Sequence, residues 1–179
     1  MKKVYLFISL AIFAGFMFQS CSKDNEILPN ANVVLTDGNS TLDEINIIGG
    51  IAGVKKGELM VITGKKLLGE VEKKVIIYVK GNSDGSYPVD ISANSLLSFD
   101  LDKINSNTVV YFVSNEEYYL LVDGAITVEN SQQKMMSGTF SGKVIPAHGL
   151  KGLSLEKILT LYDSNKNITG DFRTYSIKF

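Results

Sequence analysis

The chain has 179 residues, of which 45% are hydrophobic, and it carries 18 basic and 19 acidic side chains. This is the composition of an ordinary globular protein, and it excludes a disordered or fibrous chain. The net charge of −1 argues against nucleic acid as a partner, because nucleic-acid-binding surfaces concentrate basic side chains. One Cys and one His exclude an internal disulfide and a multi-His/Cys metal site, and we predict no metal and no cofactor.

The first 20 residues have the layout of a signal peptide. Lys2 and Lys3 precede an apolar run over residues 4–18, which is shorter than the roughly 20 residues of a membrane-spanning helix. The following Phe18-Gln19-Ser20-Cys21 resembles a bacterial lipobox in the loosened form of the Bacteroidota, in which cleavage precedes the Cys and the thiol carries a diacylglyceryl group. The resemblance implies lipidation at Cys21, which makes the membrane a partner through the lipid anchor. The alternative is an unmodified Cys21 behind an ordinary secretory signal.

Residues 21–41 are predicted to be the lipidated Cys and a flexible tether, because turn-forming residues are frequent there and periodic apolar positions are few. The segment Ser22-Lys23-Asp24-Asn25-Glu26 resembles the acidic signal that sends Bacteroidota lipoproteins to the outer face of the outer membrane. The predicted location is therefore the bacterial outer membrane, at the cell surface in preference to the periplasmic face.

Residues 42–179 are predicted to form a single all-β domain, either an antiparallel β-sandwich or a flattened β-barrel. Short apolar runs alternate with clusters of Gly, Asn, Asp and Ser, which is the pattern of antiparallel strands joined by turns. In Ile126-Thr127-Val128-Glu129, apolar and polar side chains alternate as in a half-buried strand. The predicted strands are residues 44–48, 58–63, 74–80, 96–101, 108–113, 118–122, 125–129 and 134–144.

Turn-forming sequences predict how some of these strands connect. Hairpin turns are expected at Asn115-Glu116-Glu117 and at Asp123-Gly124, which would make residues 109–129 a three-stranded meander. Near the C-terminus, Ser154 precedes apolar residues with the i, i+3, i+4, i+7 spacing of a short capped helix, and a strand over residues 158–162 is the competing prediction. Residues 169–179 are expected to form a closing strand that pairs back into the sheet.

Two motifs carry a likeness to a known family. Gly85-Ser86-Tyr87 and Ser137-Gly138-Thr139-Phe140, in their order along the chain, resemble a family of small uncharacterised Bacteroidota lipoproteins classed as a domain of unknown function. The likeness extends from about Ile45 to the C-terminus. It implies an envelope location and a β fold, and it transfers no catalytic residue because the family has no assigned activity. From the residues themselves, Gly138 is expected to let another strand approach closely while Phe140 fills the core.

Tyr118 and Tyr119 are the candidate ligand-binding residues. Neighbouring side chains in a strand point to opposite faces, so one of the two is expected outside, where an aromatic ring can contact a ligand such as a sugar. The pairs Lys55-Lys56, Lys65-Lys66 and Lys73-Lys74 are interpreted as solubilising strand ends, with a basic patch for an anionic glycan or lipid head groups as the alternative.

Asp100 and Asp102 represent the enzymatic alternative, because glycoside hydrolysis needs two carboxyl groups that face one bond. They would share a face if their segment is a strand, but the same pair is expected at the solvated end of any strand, and we prefer that interpretation. Asp43-Glu44 is interpreted as a solvated edge, and His148 as an exposed loop residue. We predict no catalytic residue.

Together these features predict a lipid-anchored cell-envelope protein that acts as a non-catalytic binding or structural accessory, with a glycan or a protein as ligand. One alternative is a glycan- or polypeptide-binding surface module, and the other is a carboxylate-dependent hydrolase of envelope or dietary polymers. Two carboxylates converging in one pocket would favour the hydrolase, whereas an open aromatic face would favour the binding module.

Overall fold

The computed structural model describes residues 28–81, 83–130 and 134–177, and within these ranges all ten strands belong to one sheet. The strands are β1 (Asn30–Asp37), β2 (Ser40–Ile48), β3 (Ile51–Lys56), β4 (Leu59–Leu68), β5 (Val71–Lys80), β6 (Gly85–Asp90), β7 (Thr108–Phe112), β8 (Tyr118–Glu129), β9 (Met135–Pro146) and β10 (Lys166–Ile177). The helices are α1 (Ala93–Leu96) and α2 (Leu155–Tyr162), and a 3-10 turn spans Leu101–Lys103.

The sheet curls into a nearly closed, mostly antiparallel barrel. Strands β3, β4, β5, β7, β8, β9 and β10 follow one another as paired neighbours, and the end of β10 returns to β3 in parallel. The rest of that β10 edge pairs with β1, which carries β2, while β6 pairs with the second half of β8. This architecture confirms the all-β prediction in its barrel form. The β1–β2 turn, the β4–β5 turn and the β7–β8 loop lie at one end of the barrel, called the upper end below.

The main hydrophobic core fills the barrel interior. Each strand alternates an inward apolar side chain with an outward one, as β4 does at Met60 and Ile62 and β5 at Val75 and Ile77. This alternation sets which face of each strand points inward, because a slip of one residue would turn every apolar side chain outward.

A second core lies outside the barrel, where α1 and α2 cover β7 and β8. Val110, Leu120 and Ile145 point outward and are fully buried under Leu96 and Ile158 of the two helices. A strand that is covered on both faces has a continuous run of apolar residues in its sequence. Strand β7 and the start of β8 have such runs. The predicted helix after Ser154 is confirmed, and the strand alternative for residues 158–162 is wrong. The Ser154 hydroxyl caps α2 by accepting from the Lys157 N–H.

The predicted tether over residues 21–41 is wrong from Asn30 onward. Strand β1 lies between β2 and β10 and hydrogen-bonds to both, and its inward residues Ala31, Val33 and Leu35 are buried. The pairing on both edges of β1 outweighs the turn-forming residues around it. The ordered sheet therefore begins before the predicted domain start at residue 42.

Two predictions in the middle of the chain are also wrong. The predicted strand over residues 96–101 is instead the end of α1 followed by the 3-10 turn. The predicted turn at Asp123-Gly124 lies inside β8, which continues to Glu129. Gly124 is opposite Gly142 on β9, and a Cβ at Gly124 would lie 2.1 Å from the Ser141 carbonyl oxygen. Gly124 therefore permits a close approach of two strands rather than a reversal of the chain.

Candidate functional site

Four side chains on the outer wall of the barrel form a line, called the aromatic row: Lys74, Phe112, Tyr118 and His148. The rings of Phe112 and Tyr118 stack, with centroids 5.0 Å apart and planes at 30°. His148 meets Tyr118 edge-on, with centroids 6.2 Å apart. At the other end of the row, Nζ of Lys74 lies 4.2 Å from the Phe112 centroid. The row thus contains two stacked rings, a third ring that meets Tyr118 edge-on, and an ammonium group over Phe112.

Strand pairing brings these four residues together from separate parts of the chain. Lys74 is directly opposite Phe112 in the β5–β7 ladder, and Phe112 is directly opposite Tyr118 in the β7–β8 ladder. Beyond β9, the Ala147 N–H donates to the Tyr118 carbonyl and sets His148 beside the Tyr118 ring. Each residue type is visible in the sequence, but the contacts depend on register and on which strands are neighbours.

The aromatic row has the chemistry of a recognition surface. Phe112 and Tyr118 are half-buried, while His148 is exposed. Aromatic faces attract cations and polarised C–H groups, and the Lys74 ammonium can also pair with an anion. Burial raises the pKa of the Tyr118 hydroxyl, so this group is protonated at neutral pH and can donate a hydrogen bond.

Tyr118 and Tyr119 point to opposite sides of β8, as strand geometry requires. Tyr119 points into the barrel and is 6% exposed, and its hydroxyl donates to Oε1 of Glu117 at 2.7 Å. Burial, together with the carboxylate of Glu117, raises the pKa of Tyr119 to about 12. The outer-wall site therefore includes Tyr118 and leaves out Tyr119.

Asp43, Lys73 and Tyr111 form a charged cluster just inside the upper end. The Asp43 carboxylate accepts from the Tyr111 hydroxyl at 2.7 Å and is paired with the Lys73 ammonium. Burial, followed by the bond to Asp43, raises the pKa of Tyr111. Because each group is held by another, the cluster joins β2 to β5 and β7 across the barrel interior. The interpretation of Asp43-Glu44 as a solvated edge is wrong for Asp43. Asp43 lies two residues before the buried Ile45, and this spacing indicates an inward side chain.

A surface pocket of about 290 Å³ lies beside α1 and the 3-10 turn, and it contains Asp100 but not Asp102. Asp100 caps the 3-10 turn by accepting from the Asp102 N–H at 3.1 Å, and it pairs with Lys103 at 3.2 Å. The Asp102 N–H and then Lys103 lower the pKa of Asp100, whereas the general acid of a glycoside hydrolase needs a raised pKa. The pocket lining has one carboxylate, and that carboxylate stabilises a turn.

Cys21, the predicted lipidation site, lies outside the described residues. Within the described residues, no three His, Cys, Asp or Glu side chains come together as metal ligands. The same part of the chain contains no helix with the length and apolarity to cross a membrane.

Comparison of the chain with protein-family models, with curated proteins and with solved structures finds no match.

Proposed function

We propose that this is a lipid-anchored protein of the bacterial outer membrane whose barrel is a non-catalytic binding module, and that the module holds a glycan on the aromatic row. The observation that carries the glycan assignment is the line of Phe112, Tyr118 and His148 on the outer wall. The C–H faces of a sugar ring pack on aromatic faces, and the Tyr118 hydroxyl supplies a hydrogen-bond donor. Lys74 favours a glycan that carries carboxylates.

The enzymatic alternative has less support. A retaining or inverting hydrolase needs two carboxyl groups on opposite sides of one bond, and the described pocket offers Asp100 alone. The aromatic row, in which His148 is exposed and Phe112 and Tyr118 are half-buried, favours a binding module over a hydrolase.

Affinity electrophoresis of the full chain, purified in detergent, tests the glycan assignment. The probes are polygalacturonate, an acidic polysaccharide, and a neutral β-glucan cast in the gel. We expect polygalacturonate to retard the wild-type protein and to retard Tyr118→Leu and Lys74→Ala much less. The matched control is Lys65→Ala, because Lys65 is directly opposite Lys74 in the β4–β5 ladder but contacts no ring in the row. Lack of retardation by both polysaccharides, or equal retardation of wild type and Tyr118→Leu, would reject the assignment.

The anchor and the location need a separate test in the native host. Cells are labelled with palmitate, and external protease is added to cells that express either the wild type or Cys21→Ala. We expect label on the wild type alone, together with digestion of the wild type on intact cells. Absence of label contradicts the lipid anchor, whereas label with protection from protease places the protein on the periplasmic face.

A further inference from the structure

The surface pocket beside α1 is enclosed mostly by the loop of residues 97–107, which connects α1 to β7. Its volume of about 290 Å³ is close to the lower limit of about 300 Å³ for small-molecule sites in proteins. A pocket of this size suits one small ring better than a run of several rings. The occupant is therefore to be sought among small molecules.

Hydrogen bonds within the protein hold the loop in place. Asp100 caps the 3-10 turn in the middle of the loop. At the end of the loop, the side-chain amide of Asn107 donates to the Pro88 carbonyl at 3.0 Å, and its oxygen accepts from the Lys80 N–H at 2.7 Å. Because Asn107 ties the loop to both β5 and β6, the pocket is formed in advance of binding. Such preorganisation lowers the entropy cost of holding a ligand.

The apolar part of the pocket lining includes an aromatic ring. Ile91, Phe99 and Ile104 are half-buried, because each packs against the second core and also lines the pocket. Thr108 is fully buried in the same lining, and its hydroxyl donates to the Leu121 carbonyl at 2.7 Å within the sheet. An apolar surface that contains an aromatic ring suits the C–H face of a sugar.

The polar part of the lining offers donors and acceptors together. The hydroxyl groups of Ser95, Ser98 and Ser106 and the amide of Asn105 belong to exposed residues that line the pocket. The Ser95 hydroxyl already bonds to the Ser92 hydroxyl at 2.9 Å, and it retains capacity for a further bond. Hydroxyl and amide groups each donate and accept, which is also what every hydroxyl group of a sugar does. The lining therefore matches a ligand with several hydroxyl groups.

The charged groups of the lining neutralise each other. Among the described residues that line the pocket, Asp100 and Lys103 carry charge, and they pair at 3.2 Å. A charged ligand would have to compete with this pair for its partner, whereas an uncharged ligand leaves the pair intact. The two carboxylate oxygens of Asp100 also have more lone pairs than the Asp102 N–H and Lys103 use, so they can accept from a ligand hydroxyl.

We propose that this pocket binds a single uncharged sugar ring, with Phe99 against its C–H face and with Asp100, Asn105 and the pocket serines bonded to its hydroxyl groups. The pocket is separate from the aromatic row, and its assignment does not rest on glycan binding there. The two sites also differ in selectivity, because Lys74 in the row favours carboxylates while the pocket favours a neutral ligand.

Substitutions at two exposed positions of the lining test the proposal. Ser98→Trp places an indole ring in the space of the sugar, and Asn105→Ala removes an amide that bonds to the sugar hydroxyls. The matched controls are Ser141→Trp on β9 and Asn46→Ala on β2, which make the same changes at exposed positions outside the pocket lining. Urea unfolding checks that each variant is folded. Should Ser98→Trp fail to fold, Asn105→Ala and its control still decide the outcome.

Saturation-transfer NMR of the full chain measures binding, in a detergent whose head group is not a sugar. The probes are glucose, galactose, mannose and N-acetylglucosamine, with glucuronate as the charged comparison. We expect at least one neutral sugar to receive saturation and Ser98→Trp to abolish the transfer. We expect Asn105→Ala to weaken binding roughly fivefold, the effect of losing about one hydrogen bond. Both controls and Tyr118→Leu should bind as the wild type does.

Three results would overturn the proposal. The first is that no neutral sugar receives saturation or that glucuronate alone does. The second is that Ser98→Trp and Asn105→Ala bind the sugar as well as their controls do. The third is that Tyr118→Leu removes binding while Ser98→Trp retains it, since the sugar would then lie on the aromatic row and not in the pocket.

Discussion

Gly138 of β9 lies directly opposite Phe172 of β10, and the Phe172 ring occupies the space that a side chain at Gly138 would need. A Cβ at Gly138 would lie 2.5 Å from the ring and 2.1 Å from the Thr127 carbonyl oxygen of β8. Because one of these contacts is to backbone, relaxation of a side chain cannot relieve it. Gly138 therefore lets β8 and β9 approach while Phe172 fills the interior.

Gly138→Ala should accordingly lower the free energy of unfolding by about 1–3 kcal/mol, the typical cost of overpacking a core with some backbone shift. Urea unfolding in detergent measures the effect. Ser141→Ala is the control, because Ser141 is exposed on the same strand. Equal unfolding midpoints for the two variants would contradict the close packing of β8, β9 and β10.

The ion pair of Asp43 with Lys73 should contribute more to stability than the ion pair of Asp37 with Lys166. The Asp43 side chain is 14% exposed and also accepts from Tyr111, whereas the Asp37 side chain is 44% exposed. Removing one partner of a mostly buried pair leaves the other charge desolvated, so we expect Asp43→Ala to cost about 2–4 kcal/mol. We expect Asp37→Ala to cost less than about 1 kcal/mol. Urea unfolding of both variants makes the comparison, and a cost for Asp37→Ala equal to that for Asp43→Ala would be inconsistent with the burial of Asp43.

The buried tyrosines predict a loss of stability in alkaline solution. Tyr119 has its pKa raised to about 12 in the fold, and a free tyrosine titrates near pH 10. The fold thus favours the neutral Tyr119 hydroxyl. The stability that this preference contributes is fully present below pH ~10 and is lost as the pH rises to about 12. The free energy of unfolding of Tyr119→Phe should therefore decline less steeply than that of the wild type over this interval. Groups that titrate in both proteins cancel when the two curves of unfolding free energy against pH are subtracted. Parallel curves for the wild type and Tyr119→Phe would contradict the prediction.

The contribution of the Ser154 cap of α2 to the free energy of unfolding should be measurable with single substitutions. The Ser154 hydroxyl accepts from the Lys157 N–H at 3.4 Å, so Ser154→Ala leaves this N–H without its partner. We expect a loss of about 1 kcal/mol in unfolding free energy. Ser154→Asp should restore stability, because Asp is an equally good cap and its charge is favourable at a helix N-terminus. If Ser154→Ala and Ser154→Asp are equally destabilised, the hydroxyl has no capping role.

Local sequence patterns predicted several elements well. Strands β5 and β7 were located from apolar periodicity, whereas for α2 the helical spacing and the serine cap predicted a helix beside a competing strand. Their signals are strong because a side chain's periodic position within one element decides whether it is buried. The opposite orientations of Tyr118 and Tyr119 followed from the same rule.

Other elements depend on partners that a local pattern does not reveal. Strand β1 alternates at Ala31, Val33 and Leu35, but its surrounding turn-forming residues indicated a tether. It becomes a strand because β2 and β10 supply hydrogen bonds on both of its edges. Residues 96–101 have an apolar run that suits a strand, yet the Ser92 cap and the packing of Leu96 in the outer core favour a helix.

The sequence by itself determined the all-β fold class and, where apolar and polar residues alternate, the face that a strand turns inward, and it narrowed residues 154–162 to a capped helix or a strand. Alternation and helical spacing specify these features within one segment of chain. Only the tertiary structure decided that α2 is a helix, that Lys74, Phe112, Tyr118 and His148 form one row, and that Asp43 meets Lys73 and Tyr111. Alternation says which face of a strand is buried, but not which strand lies beside it or in what register. Those choices are made by long-range pairing, when the sheet curls and β10 returns to β3.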